Sequence, residues 1–486
     1  MGIPCYFSHI IKTYSNIIRN LLHFKNNRLF RFHNLYLDSN SIIYDVVREL
    51  ETKNTEKGIS MSIDVFEKSV IDNVLLAIEG YCRVVSPTKV FYIAFDGDAP
   101  MAKKIQQKMR RYKSHFMSTL NLEPATTETT VNSKWNTNEI SPGTAFMNNL
   151  SSRVHSYFAN KEKELNVDKI IVSCSNMKGE GEHKIFEHVR QCATTDDNIA
   201  IYGLDADLFM LSMYHLDLCR NIYVFREAPE FIKSSIPLKQ QNTGSNLYCI
   251  DIQILCSGVL SEMNCLFFDK HRLRDYLLLC HFLGNDFVPH TPVLNLRTSG
   301  MSLLVDSYRE CIGSKEGKFL ISKETKEIEW PNVMKVLERI AKMERDILIE
   351  EMDKRRRWKG RFTGKQDEMK DAPMLLRAKE EYINPKEDGW RTRYKKALGN
   401  VESVDNYKRV IDGVNKYYDT GELTVYSKSR YGPLLTEVVR SDHSCVTTTP
   451  SMVLTELDIM PKKEDKFEIE MSYMRYDWEG EVKIWD

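Results

Sequence analysis

Two pairs of carboxylates stand one residue apart in the middle of the chain: Glu180 and Glu182, then Asp205 and Asp207. Each pair follows a short apolar run rich in β-branched residues, 170–172 and 199–201. Such runs form buried parallel strands. Side chains at i and i+2 of an extended segment point the same way. Four acids can therefore converge on one small volume, and like charges that close are costly unless a cation neutralises them. The chemistry suggested is a Mg²⁺ or Mn²⁺ site at strand ends of an α/β sheet, where such folds place ligands. Either pair alone would read as a solvated acidic loop. Two pairs, at what read as neighbouring strand ends, favour the metal.

Further acids stand at element ends. Asp38 closes a short strand at 35–37, and apolar residues recur at helical spacing after Asn40. Asp96 closes a buried strand at 90–95, Gly97 makes the turn, and Pro100 sits near the first turn of a helix, where proline is tolerated. Asp286 follows an apolar helix at 275–283 ended by Gly284. A lone Asp there is more often a cap than a ligand.

The helix after Pro100 carries Lys103, Gln107, Arg110 and Arg111 at i, i+4, i+7 and i+8, which is one face. Arginine forks and a lysine point charge could clamp a phosphate, although spacing alone fits a solvated basic face better. The run from Lys354 to Lys359, at the end of a long amphipathic helix expected over 334–357, poses the same choice.

These residues need elements to hold them. With 486 residues, 42% of them hydrophobic, the chain can bury a substantial core in two or three domains, or in one large domain with additions. Lys plus Arg and Asp plus Glu number 68 each, so net charge neither favours nor excludes nucleic acid; patches matter more than totals. No apolar run is long enough to span a membrane, and the N-terminus lacks a signal-peptide core. Eleven scattered cysteines without CxxC fit reduced thiols in an intracellular protein, cytoplasmic or nuclear. An amphipathic helix is expected over 62–82, a polar loop over 51–60, and polar excursions over 112–134 and 228–246. Thr144 is placed to cap a helix. The tail DKFEIEMSYMRYDWEGEVKIW alternates like a β-hairpin.

Taken together, the motifs resemble the XRN family of 5′→3′ exoribonucleases. The resemblance rests on MGIPCYF, LYLDSNSII, AFDGDAPMAKKIQQKMRR, ISPGTAFM, KGEGEHKI, YGLDADLFML and FLGNDFVP, in family order. GEGEHK together with DGxAPxAK is highly specific, and fainter similarity reaches into YKRVIDGVNKYYDTG and the tail. The length would suit a compact member, such as a virus-encoded or reduced one. The resemblance implies an α/β fold: a mixed, largely parallel sheet flanked by helices (a PIN/flap-nuclease-like core), with a helical second region and a C-terminal β-hairpin. The expected divisions are 1–228, 247–361 and 362–486. It implies two Mg²⁺ ions, with Mn²⁺ as a substitute, on Asp38, Asp96, Glu180, Glu182, Asp205, Asp207 and Asp286. It implies a pocket for an RNA 5′-monophosphate at Lys103, Gln107, Arg110 and Arg111. The partner would be single-stranded RNA, with no membrane, and the protein a monomer.

The chain departs from the family in three places. Tyr44 stands where the family has a histidine that stacks on the 5′ base, and tyrosine can also stack. Gly413 aligns with the opposing family tryptophan, and Met101 replaces a basic residue before the clamp lysine. A flap-type DNA nuclease is the alternative enzyme, but VPHTPVLNLRTSGM after GNDF lacks the Gly-rich helix-hairpin-helix those enzymes carry. A catalytically silent RNA-binding scaffold is the alternative of another class, and the presence of all seven acids speaks against it.

Overall fold

The structure is a computed structural model. It describes the chain except residues 1, 4, 22–23, 25–29, 121–134, 204, 229–245, 360–376, 400, 428, 442–465, 471–480 and 486. Two compact units are present. One comprises Tyr6–Pro100 and Thr126–Val259; the other comprises Met1–Cys5, Met101–Ala125 and Leu260–Asp486.

The first unit is built on a seven-stranded sheet. Its strands are β1 (Ile18–Asn20), β2 (Asn34–Asp38), β3 (Val90–Ala94), β4 (Lys169–Ser173), β5 (Asn198–Tyr202), β6 (Asn221–Glu227) and β7 (Leu247–Asp251), in the order β1-β7-β6-β5-β2-β3-β4. The pairs from β6 through β5, β2 and β3 to β4 are parallel. β7 runs antiparallel to both β6 and β1. The sheet is therefore mixed and largely parallel. Leu35, Tyr36, Leu37, Phe91, Ile93, Ile199, Ala200 and Ile201 are all fully buried, so the central strands are apolar on both faces, as a helix-covered parallel sheet requires.

One expectation is corrected here. β4 and β5, which precede the two acidic pairs, are not neighbours, because β2 and β3 lie between them. The chain lays down β2, β3 and β4 in one direction, then returns to place β5 on the other side of β2. Local sequence carries no sign of that reversal.

Helices α1 (Tyr6–Thr13), α2 (Asn40–Lys57) and α3 (Ile63–Val85) precede β3. α3 buries Phe66, Val70, Val74, Ile78, Cys82 and Val85 along one stripe. The polar stretch 51–60 is mostly helix and not loop. α2 runs on to Lys57 and ends at Gly58 (φ 62°), whose amide reaches the Asn54 and Thr55 carbonyls. The exposed Glu49–Lys53 pair (2.5 Å) supports that turn, and helices with little apolar face can persist on such i,i+4 pairs.

α4 (Met101–Leu120) follows β3 and belongs to the second unit; the rest of the 112–134 excursion, 121–134, lies outside the described residues. Next come α5 (Ala145–Phe158), α6 (Glu162–Leu165), α7 (Gly181–Cys192), α8 (Ala206–Tyr214) and α9 (Ile252–Met263). Thr144 caps α5, its side chain accepting from the Met147 amide. The 228–246 insertion lies almost wholly outside the described residues.

The second unit is helical. It contains α4, then α10 (Arg272–His281), α11 (Gly300–Tyr308), α12 (Trp330–Ala341), α13 (Glu344–Lys359), α14 (Ala378–Ile383), α15 (Trp390–Leu398), α16 (Val404–Thr420) and α17 (Leu435–Val438). The single helix expected over 334–357 is two, broken at 342–343. The break turns Glu344 inward, where its buried carboxylate accepts from the Leu435 amide and the Thr436 hydroxyl at 2.6 Å each. A two-stranded antiparallel ladder pairs β8 (Lys466–Glu470) with β9 (Glu481–Trp485). The turn expected between them, 471–480, lies outside the described residues. All ten described cysteines are free thiols. Among the described residues, no helix is long and apolar enough to cross a membrane.

Candidate active site

Six acids stand at the C-terminal edge of four adjacent strands of the first unit. Asp38 is the last residue of β2, and Asp96 lies two residues beyond β3. Glu180 immediately precedes α7 and Glu182 lies in its first turn; Asp205 and Asp207 stand in the same way at α8. The i and i+2 pairs therefore straddle helix starts and not extended segments. Negative charge is favoured at a helix N-terminus. Neither Glu180 nor Asp205 spends its carboxylate on a capping bond. The strand order reverses between β5 and β2, and open α/β sheets bind ligands beyond the strands at that kind of point.

Hydrogen bonds fix the frame. Asn40 Nδ2 donates to Asp96 Oδ2 (2.8 Å), and the Asp96 amide donates back to Asn40 Oδ1 (3.1 Å). The Gly181 amide donates to Asp96 Oδ1 at 2.7 Å. The loops after β3 and β4 are joined main chain to main chain: Gly97 N donates to Gly179 O, and Gly179 N to Asp98 O, both at 2.9 Å. Lys184 braces the same loops, its ammonium donating to Phe95 O (2.8 Å) and Cys174 O (2.9 Å). Burial lowers the Lys184 pKa to about 8, against the opposing pull of Asp96. This lysine ties carbonyls of the two loops together.

Glu180, Glu182 and Asp207 are buried, and Asp205 is exposed. One atom each from Glu180, Glu182 and His183 lie within 4.8 Å of one another. His183 was not singled out by the sequence reading, although it directly follows Glu182 in GEGEHK. At Gly181 a Cβ would fill the space between the acids. Buried oxygen donors with one imidazole, around a cradle kept open by a glycine, fit a divalent cation.

Asp286 belongs to the second unit. Asn285, and not Asp286, makes the local turn, its Oδ1 accepting from the amides of Phe287 (2.9 Å) and Val288 (2.8 Å). Asp286 instead faces α4. Its Oδ2 lies 2.9 Å from Lys103 Nζ, and its Oδ1 accepts from Gln106 Nε2. Lys103 is thus buried in an ion pair and not on a solvated face. Gln107 and Arg111 are half-buried; the Arg110 side chain lies outside the described residues.

Tyr44, on α2, is 43% exposed. At Gly413, on α16, any side chain would run into Val425, so this chain has no room for a tryptophan there. Arg355, in the basic run of α13, is fully buried and donates to Glu380 Oε1 at 2.7 Å. That residue is structural.

Comparison with known proteins adds independent evidence. Residues 1–228 match the family model described as the XRN 5′-3′ exonuclease N-terminus, and residues 267–410 match the Xrn1 helical domain. The chain is 29% identical over 340 residues to 5′-3′ exoribonuclease 1 of Saccharomyces cerevisiae, covering 65% of this chain and 21% of that protein. It is 30% identical over 336 residues to the Schizosaccharomyces pombe protein of the same name, covering 65% and 24%. With 5′-3′ exoribonuclease 2 of Aspergillus oryzae it shares 27% over 420 residues, covering 71% and 39%. The chain thus spans well under half the length of these curated relatives. Among solved structures, the catalytic core of Rad2 in complex with DNA substrate aligns at a TM-score of 0.34 and 12% identity, over 63% of this chain and 70% of that one, too slight a likeness to carry a fold argument. The two family models fall in family order on the acidic sheet edge and on the helical unit that follows it, and the chain belongs to the XRN 5′-3′ exonuclease family.

Proposed function

We propose that this chain hydrolyses 5′-monophosphorylated single-stranded RNA from the 5′ end, releasing 5′-mononucleotides. The observation that carries the reading is the row of Asp38, Asp96, Glu180, Glu182, Asp205 and Asp207 along the C-terminal edge of β5, β2, β3 and β4. Family membership supports it. These six acids would hold two Mg²⁺ ions, which when bound supply an activated water and stabilise the leaving oxygen.

The chain's own residues do the rest. Asn40 and the Gly181 amide hold the Asp96 carboxylate in one orientation. Lys184 keeps the loops after β3 and β4 at fixed spacing. On α4, Lys103, Gln107, Arg110 and Arg111 would bind the terminal phosphate through charge-assisted hydrogen bonds. Tyr44, exposed on α2, would stack on the first base.

The test is the initial rate of nucleotide release in Mg²⁺ from three RNAs of one sequence bearing 5′-monophosphate, 5′-hydroxyl or a cap. The expected order puts the monophosphate well ahead of both others. A hydroxyl leaves the cations unmatched, and a cap overfills the pocket. Replacing Arg110 and Arg111 together with Ala should erase most of that preference and keep residual metal-dependent cleavage. Equal wild-type rates on all three RNAs would remove the 5′→3′ reading. A parallel run on 5′-phosphorylated DNA of the same sequence tests the flap-type alternative.

A further inference from the structure

We propose that Arg190 and His215 are positioning residues for the acidic centre, bracing the far ends of the two helices whose first turns carry the carboxylate pairs; the proposal rests on the metal-binding role of those acids given above. Glu180 and Glu182 stand at the start of α7, and Asp205 and Asp207 at the start of α8. The strands that lead into these helices, β4 and β5, are separated by β2 and β3. Sheet hydrogen bonds therefore link the two leading strands only through two others. The helices close that gap. α7 lies over β2 and β3, where the Tyr36 hydroxyl meets His188 Nδ1 at 3.0 Å and the Tyr92 and His188 rings are 5.1 Å apart. Near the C-terminus of α7, Arg190 Nη1 donates to Nε2 of His215, the residue that ends α8, at 3.1 Å. One turn earlier, Phe186 stacks on the His215 ring, with centroids 4.7 Å apart and planes 27° apart.

His215 is fitted to one state. It is buried, and its Nδ1 stands 2.8 Å from the Leu211 carbonyl oxygen of α8. A carbonyl only accepts and a guanidinium only donates. Nδ1 must then carry the proton and Nε2 the lone pair, so these contacts set a neutral ring in one tautomer. Lys184 pins the other end of α7 to the Phe95 and Cys174 carbonyls. A helix held at both ends resists tilting. Arg190 lies eight residues beyond Glu182, which is about 12 Å along a helix axis. Its influence on the acids is therefore geometric. Freed at that end, α7 would pivot about Lys184, and the two acidic pairs would no longer keep one spacing. Misplacement of reacting groups by about 1 Å can lower rates by about 10²-fold.

Two readings on the full chain test this: Mn²⁺ affinity by titration, and kcat and KM for 5′-monophosphorylated RNA in Mg²⁺. The variants are Arg190→Met, Arg190→Lys, His215→Leu, His215→Gln and the double variant Arg190→Met with His215→Leu. All are measured well below the lowest melting midpoint, so that lost stability alone moves neither reading. Arg190→Met and His215→Leu should each weaken Mn²⁺ binding about tenfold. Each should also lower kcat about tenfold or more with little change in KM. The double variant should be no worse than either single one, because the two residues act as a unit. Arg190→Lys and His215→Gln, which keep a donor and an acceptor, should recover most of both losses. If His215→Leu does not fold, Arg190→Met, at a part-exposed position, decides by the same readings. Wild-type Mn²⁺ affinity and kcat in Arg190→Met overturn the proposal, and so do additive losses in the double variant. Failure of the metal reading looks different: the wild type itself takes up no Mn²⁺ and releases no nucleotide, and the brace falls with it.

Discussion

Gly181 stands so close to Asp38 that a Cβ built on it would lie 2.7 Å from Asp38 Oδ1 and 3.4 Å from Asp96 Oδ1. The glycine lies at the start of α7 and donates its amide to Asp96. It supplies no functional group, yet it sets the spacing of two carboxylates. Gly181→Ala should therefore act as an active-site mutation. We expect metal-dependent release to fall by about 10²-fold, as small misplacements of reacting groups do. Overpacking should cost roughly 1–3 kcal/mol of stability. Parallel thermal melts and rate measurements check this; a variant with wild-type turnover would show that the two acids need no such spacing.

Asp205 and Asp207 differ in exposure and should agree in effect. Asp205 is exposed before α8 and Asp207 is buried in its first turn. Alanine at either position should lower turnover by at least about 10²-fold, the scale for losing a group that stabilises developing charge. RNA binding in Ca²⁺ should change little. Turnover near wild type in Mg²⁺ by either pure variant would remove that residue from the metal centre.

Tyr44 offers a test of base stacking. It lies on α2 with 43% of its surface exposed. Tyr44→Ala should weaken RNA binding by roughly 1–3 kcal/mol, and Tyr44→Phe should be nearly silent. Anisotropy titrations separate the two. Equal losses would mean that the hydroxyl matters and the ring does not.

Asp275 links the second unit to pH. Its carboxyl is wholly buried and accepts from the Tyr308 hydroxyl (2.6 Å) and from the amides of Leu320 and Ile321 (2.9 Å each). Burial raises its pKa from 3.8 to about 7, although those hydrogen bonds and Arg272 pull the other way. Between those pH values the folded state holds a proton that the unfolded chain has released. The stabilising contribution is thus full at pH values below about 4 and is lost as pH rises through about 7. The melting temperature of Asp275→Asn should show a flatter slope over that window than wild type, corresponding to roughly 2–4 kcal/mol. Identical slopes would place the titration elsewhere.

Much of the site was legible because its signals are local. Short apolar runs marked β2, β3, β4 and β5, and an acid after each marked the sheet edge. The missing parts are long-range. Nothing near Glu180 or Asp205 says that β2 and β3 separate their strands; only the completed sheet does. Gln106 and Asp286 are 180 residues apart, and a glutamine on a helix gives no sign of which carboxylate it will meet. The break at 342–343 exists because Glu344 reaches Leu435 and Thr436, a tertiary reward that overrides continuous helical periodicity. His183 was within reach, since its position beside Glu182 was already in view.

The bridge from Gly97 and Asp98 to Gly179 has a consequence for how this protein can evolve. Its two hydrogen bonds run between backbone amides and carbonyls, so side-chain drift in either loop leaves them untouched. The exceptions are the glycines themselves. A Cβ on Gly97 would run into the Met177 carbonyl, and Gly179 holds a φ of 101° that side-chain-bearing residues rarely adopt. Intolerance to substitution thereby extends beyond the chemistry-bearing residues to two that carry no chemistry. In a library of random variants, Gly97 and Gly179 should be as depleted among survivors as the acids, and a search for function by side-chain type alone would pass over both.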